Sequence, residues 1–105
     1  MRFDVYLAAL YPTVGSEIRK TRPCLIVSPD ELNQHIDTVI VAPMTTHGKP
    51  YSWRVACRFQ GKNGMVALDQ LRSVDKSRLL KRLGTLTDPQ TQKNVLATLT
   101  DLFAE

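Results

Sequence analysis

Trp53-Arg54-Val55-Ala56-Cys57-Arg58-Phe59 places Trp53, Val55, Cys57 and Phe59 at alternate positions, with Arg54, Ala56 and Arg58 between them. Successive side chains of a strand point to opposite faces, so this period of two predicts a half-buried strand with Trp53 on its core side. Gln60-Gly61-Lys62-Asn63-Gly64 comes next. It is read as a turn on the strength of its Asn-Gly pair, with Met65 to Leu68 returning antiparallel.

Working outward, Asp4 to Leu10 is an apolar run stopped at Tyr11-Pro12, and Tyr11 to Thr21 is a polar loop. Pro23 biases Arg22 toward extended backbone, so the chain enters Cys24 to Ser28 as a strand. Pro29 ends that strand, and Asp30 to Asn33 has the composition of a helical turn. Thr38 to Ala42 is β-branched and almost wholly apolar, which predicts a strand buried on both faces. Leu71 to Asp75 reads as a short strand, and Ser77 to Arg82 as one or two helical turns ended by Gly84. Asp88 ahead of Pro89 is a helix start. Val95, Leu96, Leu99, Leu102 and Phe103 then form one stripe of an amphipathic helix. The pattern predicts a mainly β (β-rich α+β) fold, a small antiparallel barrel closed on one side by the C-terminal helix.

The 105 residues, 43% hydrophobic and 23% charged, fit one domain over positions 1–105. Cys24 and Cys57 lie inside apolar runs and are expected to behave as buried hydrophobes, not as a disulfide. Neither a membrane-length apolar run nor a signal-peptide core is present, so the expected location is the cytoplasm, away from membranes. Net charge is +4, which favours a polyanionic partner. His35 and His47 are too few for a zinc site, no phosphate-binding glycine loop occurs, and neither histidine stands near an elbow-like serine. No metal and no cofactor are expected.

Chemistry concentrates in Gly15-Ser16-Glu17-Ile18-Arg19-Lys20-Thr21-Arg22-Pro23, where a glutamate, basic side chains and hydroxyls crowd together. Ala42-Pro43-Met44-Thr45-Thr46 adds paired hydroxyls at a strand exit. Taken alone, either feature reads equally as a solvated loop or as turn chemistry.

The stretch from Pro12 to Pro29, with its Gly-Ser-Glu loop and Arg-Pro pair, resembles the signature of the MazF/PemK (Kid-like) toxins of type II toxin–antitoxin systems. The likeness continues through Val39 to Thr46 and Leu68 to Asp75, in the same order. It implies an SH3-like barrel, a homodimer, and an mRNA interferase that cuts single-stranded RNA without metal. A cognate antitoxin with an acidic disordered tail is implied too, any DNA contact being made through that antitoxin alone. Cleavage without metal needs a base for the 2′-OH, an acid for the leaving 5′-oxygen and a cation for the phosphorane. The resemblance assigns catalysis to Arg22, Thr45 and Glu17, with Asp69 a further candidate. The arginine that precedes this aspartate by two residues in the Kid branch is Ala67 here, the branch's loop histidine is Ser16, and Phe3 stands where glycine is common. RNA contacts are expected from Arg19, Lys20, Thr46, His47, Lys49 and Tyr51. Arg54 and Arg58 are further phosphate-binding candidates, and Trp53 is placed in the core in preference to a base stack. Two alternatives have other chemistry, a CcdB-like gyrase poison and an SH3-like binding module. Neither requires the Arg22–Thr45 combination.

Overall fold

The computed structural model describes residues 1–10, 20–48 and 51–104. In chain order its elements are β1 (Asp4–Ala9), β2 (Thr21–Ile26), α1 (Asp30–His35), β3 (Thr38–Thr45), β4 (Arg54–Phe59), β5 (Lys62–Ala67), β6 (Arg72–Asp75), β7 (Leu79–Thr85) and α2 (Pro89–Leu102). The strands form one antiparallel sheet in the order β4-β5-β3-β2-β1-β7, with β6 paired to the first half of β3. The sheet curls into a half-barrel, so the turn between β4 and β5 reaches β7, where Gln60 Nε2 donates to the Leu83 carbonyl at 3.0 Å.

β3 organises the molecule. Its alternate residues serve two apolar clusters, Ala42 and Met44 joining Val5, Leu25, Val55 and Leu68 on one side. Val39 and Val41 join Ala8, Leu10, Cys24 and Ile26 on the other. A strand flanked by two cores has no need of a polar face, which explains its unbroken apolar run. α2 covers the first cluster through buried Val95 and partly buried Leu99. It starts as its sequence indicates, with the Asp88 carboxylate accepting from Thr91 N at 3.1 Å and from the Thr91 hydroxyl at 2.6 Å. Those bonds hold the Asp88 carboxyl below its ordinary value. Phe103, assigned to the apolar stripe, lies beyond the last helical residue and is 75% exposed.

Three further expectations are corrected. Asn63-Gly64 is not the hairpin turn. Gln60 (φ +52) and Gly61 (φ +77) supply the two left-handed positions that a tight hairpin needs, and Phe59 pairs with Lys62 across them. Lys62, Asn63 and Gly64 are therefore the first residues of β5. Second, the helical stretch expected over Ser77 to Arg82 is cut to a 3-10 turn at Lys76–Arg78, and Leu79–Thr85 is the strand β7 paired to β1. The pairing is reinforced where Asp4 accepts from the Thr85 hydroxyl at 2.8 Å and meets Arg82 at 3.4 Å. Burial raises the Asp4 carboxyl, but those hydrogen bonds outweigh it and leave the net shift downward. Third, Trp53 is 38% exposed, because the chain is still turning there: Arg54 N donates to Tyr51 O at 3.0 Å, and β4 begins only at Arg54.

Candidate active site

Cys24 faces Pro43, Leu25 faces Ala42 and Ile26 faces Val41. The ladder stops there, and Arg22 and Thr45 each lie two residues beyond its last pair, near the start of β2 and at the end of β3. Pro23 and Pro43 stand just inside this end, and neither has an N–H to give to the ladder. Each strand end is held by its other neighbour, Arg22 by Ala8 of β1 and Thr45 by Met65 of β5. Pro23 also keeps Arg22 extended, with its side chain half-buried.

Both residues line one open cleft of about 300 Å³. Met44, Cys57 and Phe59 make its apolar wall, and Thr46, Lys62 and Asn63 add polar groups. Two cations, Arg22 and Lys62, lie on the described lining, which holds no carboxylate. The site is therefore electropositive over an apolar floor, suited to a phosphodiester and the bases beside it. Among the described residues Arg22 has no ion-pair partner.

Thr45 is 8% exposed and its hydroxyl is engaged. It accepts from His47 N and donates to His47 O, both at 3.1 Å, which closes the turn leaving β3. A phosphate oxygen can take that proton only by displacing the His47 carbonyl, so in this state the hydroxyl orders the cleft rim. Thr46 and His47 are exposed on that rim.

The other sequence candidates scatter. Lys20 is exposed at the entry to β2, in a left-handed conformation (φ +69), and its carbonyl accepts from Leu10 N at 3.0 Å. Asp69, in the 3-10 turn Leu68–Gln70, does not line the cleft; its two carboxylate oxygens accept from Arg54 at 3.1 and 3.2 Å. Arg54, a phosphate candidate by sequence, therefore has its charge answered by Asp69, and it stacks 5.2 Å from the Tyr51 ring centre. Arg72 and Arg78 donate to the carbonyls of Leu10 and Ala9, anchoring the end of β1. Glu17, Arg19 and Lys49 lie outside the described residues.

Sequence reasoning missed Lys62 and Asn63, because assigning them to the turn removed them from any face. Their signal was the period itself: extending β4 through Phe59 leaves room for only Gln60 and Gly61 in the turn.

Cys24 is fully buried, and its thiol is pushed up to about 12 by burial, against the opposing influence of Arg72 and Arg22. Cys57 on the cleft wall is raised by the same cause. A thiolate is the reactive form, so both are expected to be inert in the folded protein. At pH 8 an alkylating agent should label neither in native buffer and both in denaturant, as counted by intact mass. Rapid native labelling of Cys57 would contradict its placement on the apolar wall.

Residues 1–103 match the family described as PemK-like, MazF-like toxin of type II toxin–antitoxin system. The chain belongs to that family. It is 34% identical over 100 residues to the endoribonuclease MazF of Staphylococcus saprophyticus, covering 88% of this chain and 82% of that one. MazF of Deinococcus radiodurans superposes with a TM-score of 0.80 at 28% identity, over 96% of this chain and 92% of that one. An endoribonuclease in complex with its cognate antitoxin, from a mycobacterial species, superposes equally well, with a TM-score of 0.80 at 26% identity over 96% and 91%.

Proposed function

We propose that this chain is the toxin half of a toxin–antitoxin pair, a metal-independent, sequence-selective endoribonuclease that cuts single-stranded RNA. Its family and its endoribonuclease relatives make it an enzyme of the ribonuclease-toxin type. The observation that carries the chemistry is that Arg22 and Thr45 line one cleft, whose described lining carries two cations, Arg22 and Lys62.

The ribose 2′-oxygen attacks the adjacent phosphorus while its proton passes to a base, the role we give to Glu17. The P–O5′ bond breaks, the 5′-oxygen takes a proton from solvent water, and a 2′,3′-cyclic phosphate remains. Arg22 is suited to the developing charge, since its planar fork can donate to two non-bridging oxygens at once. Lys62, across the cleft, adds a second positive charge. Thr45 holds the rim of the cleft that Arg22 also lines and offers its hydroxyl to the phosphate once His47 O is displaced.

The active assembly in this reading is a homodimer of closed SH3-like barrels in the cytoplasm. The sheet curling back so that Gln60 bonds Leu83 supports the closure. The cationic cleft suits an antitoxin with an acidic, disordered tail, which inhibits by occupying the RNA path. DNA is reached through the antitoxin alone.

The test is cleavage of a long unstructured RNA in EDTA, followed by end-group analysis. We expect undiminished cutting and a cyclic phosphate at each new 3′ end. A strict requirement for added magnesium, or 3′-hydroxyl ends, would overturn the mechanism.

A further inference from the structure

Arg54 links two parts of the surface that the sequence keeps apart. Its Nε and Nη2 are both committed to the Asp69 carboxylate, at 3.1 and 3.2 Å. Its side chain is only 12% exposed, and its guanidinium carbon lies 5.2 Å from the Tyr51 ring centre. The remaining nitrogen, Nη1, lies 3.1 Å from where a Cβ on Gly48 would stand. Gly48 directly follows the Thr45–His47 turn on the cleft rim. The neighbouring hydrogen bonds are regular: Arg54 N donates to Tyr51 O, and Leu68 N donates to Trp53 O, both at 3.0 Å. Asp69 is thus fastened to Arg54, Arg54 lies over the ring of Tyr51, and its third nitrogen comes close to Gly48, next to the cleft rim.

Tyr51 is nevertheless 54% exposed, and Trp53 beside it 38%. A large aromatic ring with a guanidinium over one face, and more than half exposed among the described residues, can serve as a stacking platform. An unpaired nucleobase fits such a ring, because every base presents a π-face and needs no particular edge. A freely rotating tyrosine would lose side-chain entropy on stacking, whereas one already held by a clamped guanidinium loses less.

We propose that Asp69 and Arg54 are positioning residues that hold Tyr51 as a base-stacking platform beside the cleft, for a nucleobase flanking the scissile phosphodiester of single-stranded RNA. This rests on the ribonuclease reading above and gives Asp69 a part in substrate binding, with none in proton transfer. Lysine at position 54 cannot replace the fork, since it offers a point charge and no flat surface.

The test is a cycle of Asp69→Asn, Tyr51→Ala and the double variant in the full-length chain. Two readouts are used: steady-state cleavage of RNA, and binding of single-stranded oligothymidylate followed by Trp53 fluorescence. Stacking contacts of this kind correspond to about a tenfold change in affinity. Each single variant should therefore raise KM and the oligothymidylate Kd about tenfold, with kcat within about threefold of wild type. The double variant should be little worse than Tyr51→Ala, because Asp69 acts through that ring. A loss in kcat of more than about a hundredfold in Asp69→Asn at unchanged KM would assign Asp69 to the chemical step and overturn the proposal. Fully additive effects on binding would overturn it too. Oligothymidylate lacks the 2′-OH and is not cut, so its binding reads the platform separately. A wild type that binds it with the expected variant pattern but cleaves no RNA would count against the ribonuclease reading alone.

Discussion

Replacing Arg22 by alanine lowers kcat/KM on RNA by at least about a thousandfold, while circular dichroism and the thermal midpoint stay close to wild type. The size follows from what the guanidinium does. Removing one well-placed donor to a transition-state oxyanion costs about a hundred- to a thousandfold, and Arg22 combines two donors with a full charge. A thousandfold corresponds to about 4 kcal/mol of lost transition-state stabilisation. The fold is spared because Arg22 has no ion-pair partner among the described residues and is only half-buried, near the start of β2. Arg22→Lys restores the charge without the fork and should recover only about tenfold of the loss. The loss should fall on kcat more than on KM, since the phosphorane carries more charge than the ground-state diester. Full activity in Arg22→Ala would remove the basis for the proposed mechanism.

What the sequence disclosed and what it hid divide along a physical line. β3 and α2 were legible because each reports its own environment: β3 is apolar from Val39 to Met44 since both its faces meet a core, and α2 opens on Asp88-Pro89 with a stripe at helical spacing. β7 was not legible. Leu79-Leu80-Lys81-Arg82-Leu83-Gly84-Thr85 has no strand alternation, and it becomes a strand through its pairing with β1 more than seventy positions earlier. The Asn63-Gly64 signal was locally strong and lost to register. Pairing Val55 with Val66 and Cys57 with Gly64 buries the apolar face of β4, and that register leaves Gln60 and Gly61 as the turn. The candidate site divides the same way. Arg22 and Thr45 could be singled out from their motifs, but the Arg54–Asp69 pair joins two segments fifteen residues apart, and nothing in either segment announces the other.

Gly64→Ala is expected to destabilise the fold by about 1–3 kcal/mol, the usual range for forcing extra atoms into a packed site, and to lower activity further than that loss explains. A Cβ at Gly64 would lie 2.9 Å from the Thr45 carbonyl oxygen, and Thr45 pairs with Met65 in the β3–β5 ladder. The obstacle is backbone, so no rotamer change relieves it, and β3 or β5 must move. Gly64 and Thr45 both line the cleft with Arg22, so the same displacement moves Thr45 and its turn away from the guanidinium. Misplacing reacting groups by about 1 Å can cost a hundredfold in rate. We therefore expect a lowered denaturation midpoint together with a kcat reduced at least about tenfold at a temperature where the variant is still folded. Gly61→Ala is the control for stability: its Cβ would meet nothing within 4 Å, so its penalty comes only from the left-handed backbone (φ +77) and its effect on kcat should be small. Equal activity losses in the two variants would show that hairpin stability, and not the approach of β5 to Thr45, governs the cleft.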